Sequence, residues 1–157
     1  MTNQADSTVS YPLGPALDFL QRLWQLNHAM EKLSSRMEKR LGVTAQQRLI
    51  LRCVGKYPGM TAGHLASLLH VDPGTVSAAL SRLESKGLLE RRRDPRDKRR
   101  ASLGLTAKGR ALDQPSDGTV ERAVEQLLLS APSAQVVTMV SVVDQLTRLL
   151  REELERE

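Results

Sequence analysis

Aromatic side chains are scarce in this sequence. They make up 3% of 157 residues: one Trp, two Tyr and one Phe. A core must therefore be built mainly from Leu, Val, Ala and Met. Cys53 is the single cysteine, which excludes an internal disulfide framework and points to a reducing compartment. No apolar run approaches the roughly 18 residues of a membrane-spanning helix. The first ten residues lack the basic-then-apolar order of a signal peptide. The expectation is a cytoplasmic protein without a membrane partner, loosely ordered over residues 1 to about 10. Repeats and low-complexity tracts are absent too. So are a Gly-rich phosphate loop, a nucleophile elbow and a clustered metal motif, and His28, His64 and His70 do not stand at ligand spacing with Cys53. These absences argue against an enzyme, and no catalytic residue, metal or cofactor is expected.

Positive charge is plentiful. Lys and Arg number 23 against 18 Asp and Glu, a formal net charge of +5, with a pI near 9.8. That balance suits a polyanionic partner. The chain is organised around Thr61 to Leu105. Pro58 and Gly59 break any earlier helix. Thr61 is placed to cap a new one, in which Leu65, Leu68 and Leu69 recur at helical spacing. Val71 and Asp72 form a turn. Asp72 is a good N-cap, Pro73 suits the first helical position, and the second helix runs to about Lys86 before Gly87 stops it. Val76, Leu80 and Leu83 face inward. Outward go Pro73, Gly74, Thr75, Ser77, Ala78, Ser81 and Arg82, a small polar face that can approach base edges in a major groove. By itself this face could equally be an ordinary solvent face.

The next segment favours the DNA reading. Leu88 to Arg92 reads as a strand, and Ala101, Leu103 and Leu105 alternate as a second, with Ser102 and Gly104 outward. Between them lies Arg93-Asp-Pro-Arg96-Asp-Lys98-Arg99-Arg100. Long cations on a projecting loop are what phosphate neutralisation needs, and a narrow minor groove attracts an inserted Arg. Asp94 and Asp97 are too few to neutralise the loop and can instead hold neighbouring guanidinium groups in place. A charge run alone is most often a solvated loop; directly after a helix-turn-helix it reads as a wing.

The run Asp72-Pro-Gly-Thr-Val-Ser, then Leu80-Ser-Arg-Leu-Glu-Ser-Lys-Gly-Leu-Leu-Glu-Arg91, then Asp94-Pro-Arg-Asp-Lys-Arg99 and Leu105-Thr-Ala-Lys-Gly109, resembles the MarR family of bacterial transcriptional regulators. The architecture of the resemblance spans about Ala16 to Leu150, and its most specific part is the wing followed by Leu-Thr-x-x-Gly. It implies that Arg96 is the wing-tip arginine of the minor groove and that Asp94 and Arg99 brace it. Many members carry a long polar or basic residue where this chain has Ala78, so base preference does not carry over. The resemblance also implies a homodimer and, commonly, a small phenolic or anionic effector held between the two lobes.

The flanking segments fit a helical frame. Leu17, Leu20, Trp24, Asn27, Met30, Ser34, Met37 and Leu41 form one stripe of a helix from Ala16 to Leu41, ended by Gly42, and Leu23, Leu26 and Leu33 widen it. Trp24 and His28 share a face, either as core and interface packing or as one wall of an effector pocket. Arg110 is a third pocket candidate, pairing with an anionic ligand or with a neighbouring carboxylate. Thr44 to Gln47 is a capping box, after which Leu49, Ile50, Cys53 and Val54 face inward. Cys53 reads as a small hydrophobe, because redox-sensing members of the resembling family carry their cysteine near the amino terminus. Thr106 caps a helix that breaks between about Asp113 and Gly118 at Pro115. Helix resumes from Thr119 to Leu129, and Ser130 caps a last one carrying Val136, Met139, Val140, Val143, Leu146, Leu150 and Leu154.

The expected fold is mainly α with a small β-hairpin wing. The divisions are residues 11–43 for the amino-terminal helix of a dimerisation lobe, 44–105 for a winged helix-turn-helix, and 106–157 for carboxy-terminal dimerisation helices. The terminal helices have little to pack against in one small chain, so a two-fold dimer reading a near-palindrome is expected. The alternative is a monomer using them as its own three-helix core. The function this supports is a sequence-specific regulator of double-stranded DNA, a repressor released by an effector. The alternative is an architectural or interaction module without effector control.

Overall fold

The computed structural model describes residues 13–93 and 101–156. The expectations for residues 1–12, and for the wing tip with Asp94, Arg96, Asp97, Lys98 and Arg99, lie outside the described residues. The order is α1 (Pro15–Leu41), α2 (Ala45–Lys56), α3 (Ala62–Leu69), α4 (Pro73–Ser85), β1 (Leu89–Arg93), β2 (Ala101–Leu105), α5 (Ala107–Leu112), α6 (Val120–Ser130) and α7 (Ser133–Leu154). The chain is mainly α with a two-stranded antiparallel hairpin.

Local signals set most boundaries. At α2, the Thr44 hydroxyl accepts from the Gln47 amide at 3.2 Å while the Gln47 side chain accepts from the Thr44 amide at 3.3 Å, a reciprocal capping box. Thr61, Asp72, Thr106 and Thr119 each accept from the amide three residues on. Gly42 stops α1 in the left-handed region. The sequence around Pro115 breaks the helix as expected, with α5 ending at Leu112 and α6 starting at Val120.

Among the described residues, every buried apolar side chain apart from Met37 lies between Val43 and Leu105. Ile50, Leu51 and Val54 of α2, Leu65 of α3, Val76, Leu80 and Leu83 of α4, and Leu89, Leu103 and Leu105 of the hairpin form one cluster. Among the described residues α6 and α7 have no buried apolar side chain, and α1 has only Met37. The amino-terminal part of the expected α1 stripe, Leu17, Leu20, Trp24, Asn27 and Met30, is therefore solvent-facing in a single chain, with Trp24 78% exposed, while Ser34 and Leu41 are half-buried and Met37 is buried. The three-helix core of a monomer does not form.

Several inward assignments need correction. Leu49 is 51% exposed and Leu51 is fully buried in its place, because α2 docks on α3 and the hairpin through the face that carries residues 47, 48, 51 and 54. Leu68 is 45% exposed; Leu65 and Ala66 carry the buried face of an α3 only eight residues long. Ser130 does not cap α7. It closes α6, donating from its hydroxyl to the Leu127 carbonyl at 3.1 Å, and α7 begins after Pro132 with no side-chain cap. The turn before α4 starts one residue earlier than expected, at His70, which ends α3 at φ 52.

Candidate nucleic-acid interface

Asp72 anchors the amino terminus of α4. Its Oδ1 accepts from the Thr75 amide at 2.8 Å and its Oδ2 from the Thr75 hydroxyl. The hydroxyl contact, then the amide, holds the Asp72 carboxyl below the usual carboxylate range. This cap positions a helix whose inward side is Val76, Ala79, Leu80 and Leu83, all buried. Pro73, Gly74, Thr75, Ser77, Ala78, Ser81 and Arg82 are all exposed. No other segment of the described chain covers them. The Ser81 hydroxyl donates back to the Ser77 carbonyl at 3.0 Å, which keeps its side chain close to the helix and the face shallow.

The wing stands beside this face. In the hairpin Leu89 pairs with Leu105, Arg91 with Leu103, and Arg93 with Ala101. Leu89, Leu103 and Leu105 are buried and root the hairpin in the core. Arg91 pairs with Glu84 of α4 at 3.0 Å, stitching the wing to the recognition helix. On the opposite face Arg92 pairs with Glu90. The β2 edge is extended by residues 59–61: the Leu103 amide donates to the Met60 carbonyl at 2.7 Å, and Thr61 bridges Ser102. The root is thus held on both sides, and the exposed Arg93 leads into the cationic segment 94–100.

The structure explains the Leu-Thr-x-x-Gly run. The Thr106 hydroxyl donates to the Gly87 carbonyl at 2.7 Å. A Cβ on Gly109 would strike the Leu88 carbonyl group, 3.0 Å from its carbon. Only glycine lets α5 rest against the backbone of the turn after α4.

The three effector candidates do not meet. Trp24 lies in an open apolar trough with Leu13, Leu17 and Leu20. His28 lies in a shallow polar depression with Glu31, Lys32 and Arg36. Arg110 lines a third hollow beside Gly55, Arg92 and Asp113, and its guanidinium donates to the Leu105 carbonyl at 2.8 Å. Cys53 is half-buried, and burial pushes its thiol pKa up against the opposing pull of Lys56, so the nucleophilic thiolate is disfavoured. Among the described residues no group of three or more His, Cys, Asp or Glu could hold a metal, and no helix is long and apolar enough to cross a membrane.

Sequence reasoning missed one buried polar centre. Arg48 is 1% exposed, its guanidinium engaged with Glu121 and with carbonyls between α5 and α6. The available signal was its place beside Gln47 on the same helical face as Leu51 and Val54, two polar residues in an apolar stripe.

The MarR family's sequence model matches residues 43–101, the segment holding nearly all of the apolar core. The chain is 32% identical over 94 residues to the HTH-type transcriptional repressor Rv2887 of Mycobacterium tuberculosis, covering 59% of this chain and 68% of that protein. The chain belongs to the MarR family. It is a transcriptional regulator of that family and not an enzyme, in keeping with its named relatives. A second relative, the HTH-type transcriptional regulator TtmR of Methylorubrum extorquens, is 37% identical over 75 residues. That match takes in 48% of this MarR-family chain and 38% of TtmR. The fold is that of the S. aureus MepR–DNA complex, with a TM-score of 0.68 at 24% identity over 85% of this chain and 97% of that one.

Proposed function

We propose that this regulator binds double-stranded DNA as a homodimer, with α4 in the major groove and the wing in the adjacent minor groove. The observation that carries the reading is the uncovered, short-side-chain face of α4 stitched through Glu84–Arg91 to the root of a cationic hairpin. Small residues let the helix approach base edges, and Arg82 supplies a long donor at its far end. Arg93, Arg96, Lys98 and Arg99 neutralise phosphates or enter the minor groove, with Asp94 and Arg99 bracing Arg96. The MepR neighbour in its DNA complex supports the same use of the fold.

Dimerisation draws on the frame helices. Trp24, Leu129 and Leu154 are 78%, 84% and 76% exposed, and burying such surface at roughly 25 cal/mol per Å² supplies the driving force. Two reading heads then lie about 34–36 Å apart and read a near-palindrome. Repression is supported by the name of the M. tuberculosis relative. Release by a small phenolic or anionic effector requires that the ligand bind one spacing of the heads better than another. In this reading the second copy completes the pocket walls begun by Trp24, His28 and Arg110.

The experiment is operator selection followed by titration in competition with scrambled duplex. Ser77→Leu is expected to abolish specific binding while leaving the fold intact. Arg96→Ala is expected to weaken binding and lower the salt slope by about one unit. Normal operator binding by Ser77→Leu would reject the α4 assignment, and an unchanged slope and affinity in Arg96→Ala would reject the wing assignment. Equal retention by scrambled DNA would favour the architectural alternative.

A further inference from the structure

The bend between α5 and α6 is held by three arginines from α1 and α2. Arg48 of α2 binds the Glu121 carboxylate through Nε, the Leu112 carbonyl through Nη1 and the Gln114 carbonyl through Nη2, the last at 2.6 Å. Arg52 donates to the Asp113 carbonyl and, at 3.1 Å, to its carboxylate. Arg40 of α1 donates to the carbonyls of Asp117 and Gly118. α2 approaches so closely that a Cβ on Gly55 would lie 2.8 Å from the Asp113 carboxyl carbon. Thr119, 1% exposed, caps α6 just after the bend and donates to the Ser116 carbonyl at 2.7 Å.

Two features make this more than packing. The acceptors of Arg48 run from the last residue of α5 through the bend to α6, so its side chain ties the reading lobe to the start of the frame rather than filling the lobe's own core. A buried guanidinium also tolerates no half-made arrangement, since losing one partner leaves a desolvated charge uncompensated. The bend is consequently held in one geometry or released as a whole.

We propose that Arg48 is a positioning residue for operator binding. Without touching DNA, it fixes the angle between α6 and the reading lobe and so the separation of the two heads in the dimer. This rests on the dimeric DNA-binding function proposed above.

The test measures geometry and binding separately. In the full chain with Cys53→Ser, spin labels at Ser67→Cys on α3 and Gln126→Cys on α6, diluted with unlabelled protein, report the lobe-to-frame distance without DNA. Arg48→Met is expected to shift or broaden that distance by several ångströms. It should also weaken operator binding by about tenfold or more, and erase the preference for half-sites one turn apart, about 10–10.5 base pairs, over half-sites one or two pairs further. Arg48→Lys should not rescue, because a point charge cannot serve acceptors spread around a planar fork. If folded Arg48→Met melts earlier but keeps the wild-type distance and spacing preference, its role is structural only and the proposal is overturned. Should Arg48→Met fail to fold, Glu121→Ala decides: it removes the α6 partner of the Arg48 Nε while keeping the arginine, and an unchanged distance and spacing preference overturn the proposal. A wild type that ignores operator sequence would instead sink the DNA-binding reading, which the DNA-free distance distinguishes.

Discussion

Residues 43–105 and the helices α1, α6 and α7 use similar apolar side chains to opposite ends. In the first region they close on one another, and Ile50, Leu51, Val76, Leu80 and Leu83 are essentially inaccessible. In the second they stay exposed, with Leu20, Leu129, Val143 and Leu150 all more than half accessible. Periodicity is comparable in both, so amphipathic spacing alone does not tell whether a helix meets its own chain or another. What differs is the diversity of directions. The reading lobe brings three short helices and a hairpin to one point, whereas long helices need a long partner to cover a stripe.

That contrast can be broken by substitution. The largest effect is expected inside the reading lobe: Leu80→Ala removes a fully buried side chain and should cost about 2–5 kcal/mol of stability by denaturant unfolding. A cost below about 1 kcal/mol would mean that the lobe is not independently packed. Next comes the frame. Val143→Asp should leave the helical content of the lobe intact but raise the dimer dissociation constant by at least about tenfold, roughly 1.4 kcal/mol. Sedimentation would report the shift, and the emission of Trp24, the single tryptophan, would move to the red as its cover is lost. An unchanged dimer with unchanged emission would place the interface elsewhere.

The smallest effect concerns pH and sharpens the picture of the lobe's surface. The Asp72 carboxyl is held below its ordinary range by Thr75, so the folded state favours the ionised form. Its contribution is complete above about pH 4 and is lost as pH falls through the depressed value. The stability advantage of the wild type over Asp72→Asn should therefore shrink in acid. An advantage that stays constant between neutral pH and pH 2 would show that the carboxylate charge does no capping.

Much of this was legible in the residues themselves. Thr44 with Gln47, Thr61, Asp72 with Pro73, Thr106 and Gly87 announce helix ends because a cap acts on amides three residues away, a purely local matter. The helix-turn-helix and the two strands emerged for the same reason, and the Leu-Thr-x-x-Gly run marked the family before its packing role could be known. Where locality ended, the reading slipped. Leu49 and Leu51 are equally apolar, and only the docking of α2 against α3 and the hairpin decides which is inside. Trp24 and His28 share a face yet line separate depressions.

By itself, then, the sequence determined where most helices start and stop, the two strands of the hairpin, the charge of the segment that joins them, and the short-side-chain surface of α4. Those properties follow from φ/ψ preferences, caps and residue type within a few positions of each other. Only the tertiary structure decided that Arg48 is buried 64 to 73 residues away from its partners in sequence, that Gly109 must carry no side chain beneath Leu88, and that among the described residues the frame helices leave most of their apolar faces uncovered. Those outcomes depend on which surfaces meet across long separations, and no spacing rule within a single element encodes that.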